Sequence, residues 1–215
     1  MKAAPSFLRT LRALAWGVAP RVLQGRGWAV AILALAPVAV SLLIATLRRL
    51  KGLDLPPGLA VQIFHEGLVK VMLPIMALVA APAGIREDME QRTLPLILAR
   101  PAPAEALPLG KGLPWALWGG LWLLVSVALL QLVGGDPELP GRVAALLGAW
   151  WGELAFLTLL GLIFKRGALW GGIYLFVWEP FVRIFPPFLQ RLTFVHHIES
   201  LAGSRGGSVD GAQLL

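Results

Sequence analysis

Two acidic residues lie inside long apolar runs of this chain, Glu153 in VAALLGAWWGELAFLTLLGLIF and Glu179 in ALWGGIYLFVWEPFVRIF. A carboxylate in such surroundings is costly as a charge, so it is expected to face a packed interior or a wet cavity. Glu153 can therefore serve a substrate or a proton, or it can be hydrogen-bonded between helices. Glu179 precedes Pro180 and can shape a gate, or it can pair with Arg183 on the same helix face. His65 with Glu66, and the group His196, His197 and Glu199, set imidazole beside carboxylate, the residue types of acid–base and metal chemistry. Zinc needs three or four ligands, and no further one stands close in sequence to the second group, so a wet interfacial helix accounts for it as well. No paired carboxylates or nucleophile–base set occur at a spacing that specifies an enzyme.

The other stretch with chemistry is IREDMEQRTLPLILARPAPAEALPLGK, residues 85–111, which is charged, punctuated by proline and long enough to have its own structure. Asp88, Glu90 and Arg92 make a charged run. Thr93 can cap a short helix over residues 94–99, with Leu94 and Pro95 in its first turn, where the missing proline N–H has no partner to lose. Arg100 and Pro101, with Ala102 and Pro103, then stop it. Leu96, Ile97 and Leu98 need a cover, either a docked partner or lipid.

The elements that must position these residues are membrane helices. Hydrophobic residues make up 57% of the chain and charged ones 14%, against about 25% charged in soluble domains. A bilayer core of about 30 Å takes roughly 20 apolar residues per crossing. The apolar runs predict spans at residues 28–47, 68–84, 113–133, 143–164 and 168–185, the first interrupted by Pro37. A β-barrel would alternate apolar and polar residues, and these runs do not. The expected fold is an all-α bundle of about five transmembrane helices in a single domain, residues 1–202, followed by a flexible Gly/Ser-rich tail at 203–215.

Before the first span, Phe7, Leu11, Leu14 and Val18 recur at helical spacing with Arg9 and Arg12 opposite them, the pattern of a helix lying in the membrane interface, and Pro20 is expected to end it. Lys70 is expected to snorkel. Gly148 with Gly152, and Gly167 with Gly171, form GxxxG pairs that suit close packing within one chain or between two. Trp28, Trp115, Trp118, Trp170 and Trp178 sit near span ends, as in an aromatic belt.

The net charge of +7 is scattered at the ends of apolar runs, which suits lipid headgroups and argues against nucleic acid. The distribution of Arg and Lys favours a cytoplasmic N-terminus, with the Arg48, Arg49 and Lys51 cluster opposing it. Cysteine is absent, which removes disulfides and thiol catalysis.

The 85–111 string resembles the cytoplasmic motif of type-2 ABC exporter permeases: an acidic and basic run holding Asp88 and Glu90, then Thr93-Leu94, Arg100-Pro101, and Leu109-Gly110-Lys111 at the start of the third span. Trp178-Glu179, the amphipathic LTFVHHIESLA and the N-terminal helix are similar to that family too. Arg92 stands where the family usually has glycine. Members usually have a sixth span, so the resemblance implies a shortened member or a segment beyond this sequence. It also implies a multi-pass plasma-membrane permease that pairs with a second copy or a related permease and with separate ABC ATP-binding subunits. Those subunits would hold ATP and Mg, with no cofactor bound by this chain. Residues 85–111 would carry the coupling helix, and the ATPase would dock at Asp88, Glu90, Arg92, Thr93, Leu94, Leu96, Ile97, Leu98, Arg100 and Pro101. The chain has no GxxxxGK[ST], and Gly110-Lys111 lacks the upstream glycine and following Ser/Thr of a phosphate cradle. An intramembrane enzyme and a non-transporting scaffold subunit are the alternative functions.

Overall fold

The structure is a computed structural model, and it describes residues 7–54, 58–81, 88–89, 92, 106–134, 142–182, 184, 193 and 196. All regular structure among them is helical. With no water in a bilayer core to satisfy N–H and C=O groups, an apolar chain there must close its own hydrogen bonds, and the helix does so locally.

Helix α1 is Phe7–Val22 and α2 is Arg26–Leu50. Pro20 was expected to end α1, but the helix carries it in its last turn, and Leu23 N–H still reaches Ala19 O at 3.1 Å. Proline withholds its own N–H and crowds the carbonyl four residues back, and only two residues of α1 follow Pro20, so the helix ends soon after it. Helix α2 runs past the predicted span end at residue 47 and includes Arg48 and Arg49. The stop is Gly52, at φ 66, where the N–H groups of Gly52 and Leu53 turn back to Arg49 O and Arg48 O.

The third helix, α3, runs over residues 59–80, from Gly58 in the left-handed region at φ 75. It begins well before the expected span at 68–84. Its section Ile63–Met72 is π-helical, with Pro74 just beyond. Helix α4 is Ala106–Gly134, so residues 106–111, expected to belong to the loop, are already helical. Helix α5 is Val143–Ile163. A short turn leads to α6, residues 167–182, whose middle section Tyr174–Trp178 is again π-helical and again followed by a proline, Pro180.

Among the described residues, four helical segments are long and apolar enough to cross a membrane: Arg26–Leu50, Ile63–Ala80, Ala106–Val133 and Val143–Ile163. The described part of the expected fifth span, α6, is shorter than the roughly 20 residues of a full crossing.

Side-chain to backbone bonds fix the register. Trp118 Nε1 donates to Gly27 O at 2.8 Å, and eight residues on, Ser126 Oγ donates to Ala34 O. Contacts that advance together make α2 and α4 parallel. Trp150 Nε1 donates to Ala116 O at 2.9 Å while Leu147 lies beside Gly120, so α4 and α5 are antiparallel.

Lipid is as apolar as leucine, so burial alone does little to hold membrane helices together, and close approach with interhelical hydrogen bonds takes over. Gly119 shows how. A Cβ there would fall 2.2 Å from Trp150 Cζ2, so only glycine lets the indole lie against α4 and reach Ala116. The interior gathers Leu68, Leu73, Met76, Leu123 and Leu130 around Trp150. Trp115, expected in the belt, is buried there too, whereas Trp28, Trp170 and Trp178 are exposed. The Gly167/Gly171 pair packs within the chain, against Gly161 and Leu157, and a Cβ at Gly148 would meet nothing.

Candidate functional site

The N-terminal end of α4 is where the central stretch meets the bundle. Asp88 and Met89 form a short helical step between α3 and α4. The Asp88 carboxylate is paired with Lys111 Nζ, and both side chains are buried, at 4% and 7% exposure. Arg21, in the last turn of α1, approaches the other carboxylate oxygen at 4.0 Å from a half-exposed position. One buried acid therefore ties together α1, α4 and the segment between α3 and α4. A buried ion pair contributes little net stability, because desolvation offsets attraction, but losing one partner is costly. Its value is positional.

Gly110 makes room for this arrangement. A Cβ there would lie 2.7 Å from Leu14 Cβ and 3.3 Å from Leu11 O, so the glycine lets α1 press onto α4 one residue before the paired lysine. At Gly112 a Cβ would meet nothing, and Leu109 is exposed. The Leu-Gly-Lys string thus divides into an outward leucine, a contact glycine and an inward lysine. A small cavity of about 10 Å³ between Lys111, Trp115, Leu154 and Thr158 continues from this point toward α5.

Arg92 has φ 56, and among the described residues it is the one non-glycine residue with positive φ. Its N–H turns back to Met89 O at 3.3 Å. The position that the family resemblance gives to glycine therefore has the backbone that glycine adopts most easily. Glu90, Thr93, Leu94, Leu96, Ile97, Leu98, Arg100 and Pro101 lie outside the described residues.

Glu153 is fully buried in the middle of α5, and neither carboxylate oxygen has a hydrogen-bond partner among the described residues. Glu179 is also buried, close enough to act electrostatically on Glu153, and both acids act on Tyr174. The tyrosine ring packs on Phe156 of α5 at 4.7 Å between centroids. The bundle thus brings together two acids that sequence could only note separately. Arg183, the suggested partner of Glu179, lies outside the described residues.

The remaining groups are divided among other contacts. His65 Nε2 meets Arg142 at the start of α5, and Glu66 pairs with Lys70 one turn on. Lys70, read as a snorkelling side chain, thus has a defined partner. His196 N–H is 3.4 Å from Thr193 Oγ1, while His197 and Glu199 lie outside the described residues.

Sequence reading missed the joint roles of Lys111, Gly110 and Arg21. A signal was present in Lys111, a lone cation entering an apolar helix, which needs an acid nearby. No protein-family model matches the chain, and neither curated proteins nor solved structures gave a match.

Proposed function

We propose that the chain is the membrane-spanning permease subunit of an ATP-driven ABC exporter of the type-2 class. The observation that carries this reading is the buried Asp88–Lys111 pair with Arg21 beside it. A force applied to the segment after α3 passes through that pair to α1 and to the third span, which is what a subunit driven from outside requires.

In this reading ATP and Mg bind to separate ATPase subunits, which dock on the 85–111 stretch through Arg92, Leu96, Ile97, Leu98 and their neighbours. Asp88 faces inward, so its part is to hold that stretch against the bundle rather than to touch the partner. A second copy or related permease completes the pathway in the plasma membrane, with the N-terminus cytoplasmic. Glu153 and Glu179 line or gate the route, since two buried acids with no hydrogen-bond partner on Glu153 suit a group that alternates its contacts.

The test is co-purification of an ABC ATPase with the intact chain, repeated with Leu96, Ile97 and Leu98 replaced by aspartate. The altered chain should insert normally and lose the ATPase. Full-strength binding by a correctly inserted variant would sink the docking assignment.

A further inference from the structure

An open groove of about 510 Å³ runs between α1 and the N-terminal half of α4. One wall is formed by Ala15 and Ala19, whose small side chains leave the space empty, and the other by Leu117 and Leu121, a stripe on a helix long and apolar enough to span. The leucines are exposed, at 59% and 51%, so the groove opens sideways toward the hydrocarbon. Among the described residues Arg12 is the single charged one in the lining, and Trp16 is in the lining too, at 67% exposure. Helix α1 carries Arg9, Arg12 and Arg21 and no acidic residue.

An apolar slot that opens to lipid and has a cation with an indole at its mouth is complementary to one class of molecule. We infer that the groove holds an acyl chain of an anionic phospholipid, with Arg12 reading its phosphate and Trp16 seated at headgroup level. A water-soluble partner cannot reach the Leu117–Leu121 wall. Arginine also suits phosphate better than a point charge does, because its planar fork can donate two parallel hydrogen bonds. Membrane lipid becomes part of the joint between α1 and the third span, next to the Gly110 contact.

The inference can be tested with the full chain in phosphatidylcholine nanodiscs doped with a small fraction of brominated-chain phosphatidylglycerol or brominated-chain phosphatidylcholine. The signal from Trp16 is the quenching present in the native chain and missing in Trp16→Phe. Brominated phosphatidylglycerol should quench Trp16 at a several-fold lower fraction than brominated phosphatidylcholine. Arg12→Gln should reduce that preference roughly five-fold, the scale of one basic residue at an anionic surface, and Arg12→Lys should keep the part due to charge and lose the part due to the two parallel hydrogen bonds. Arg9→Gln should leave it intact, and Ala19→Phe should fill the slot and remove quenching by both lipids. Equal quenching by the two lipids overturns the inference. So does an effect of Arg9→Gln as large as that of Arg12→Gln, which would mark a diffuse surface field. Absence of Trp16 quenching by either lipid overturns it as well, and would mean that protein, such as a second copy, covers the groove. Arg12 is exposed, so its variants keep the test decisive even if Ala19→Phe fails to fold.

Discussion

The Asp88 carboxylate and the Lys111 ammonium are paired out of water, at the point where the third span begins. Removing one member leaves the other as an uncompensated buried charge, a cost of about 3–5 kcal/mol. Asp88→Asn and Lys111→Met should each lower the thermal midpoint of the detergent-solubilised chain sharply, and the double variant should recover most of the loss. Arg21→Gln should cost about 1 kcal/mol or less, because that side chain is half exposed and at the edge of ion-pair distance. Additive losses in the double variant would show that the two residues act independently.

Two glycines separated by Lys111 provide an internal control. Gly110→Ala places a methyl group 2.7 Å from Leu14 and should cost about 1–3 kcal/mol, with α1 lifting from α4, whereas Gly112→Ala should be neutral. Protease accessibility of α1, alongside thermal unfolding, reads both effects. If both variants behave alike, the helices do not meet at Gly110.

Arg92 holds a left-handed backbone that costs an L-residue about 1–2 kcal/mol. Arg92→Gly should therefore raise the thermal midpoint, and Arg92→Val should lower it further than Arg92→Ala. A fall with glycine would mean that the guanidinium makes a contact worth more than the strain.

Glu153→Gln removes the capacity for charge while keeping the shape of the side chain. The variant should insert and unfold like the native chain or slightly later, since a buried neutral amide replaces a group that is costly when ionised. In the proposed transporter it should also abolish substrate-stimulated ATP hydrolysis. Native-like stimulation would make Glu153 structural.

Much of the bundle was legible in the residues. Runs of apolar side chains located the four long helices, because backbone satisfaction in lipid leaves little choice, although α3 and α4 begin well before the predicted 68 and 113. What sequence could not reveal was which faces meet. Where every face of a helix is apolar, periodicity carries no direction, so Trp115 could be read as belt when it belongs to the interior. The charged run around Asp88 looked like surface for a related reason: the cation that draws the acid inward, Lys111, lies on another element further along the chain. The Glu66–Lys70 pair, at a spacing that shares a helix face, is by contrast legible in the sequence. The nearness of Glu153 and Glu179 depends on the antiparallel packing of α5 on α6, which no local pattern encodes.

The wide turns in α3 and α6 have a consequence for how the bundle can change shape. A π-helical turn holds one residue more than the α-helical turn it replaces, and each such section here stands just before a proline that withholds an N–H from the regular ladder. If such a section tightened to α-helix, everything beyond it would rotate about its axis by about 100°, one residue's share of a 3.6-residue turn, and advance by about 1.5 Å. In α6 the first side chain so carried round would be Glu179, whose carboxylate would sweep away from Glu153 without any span having to tilt.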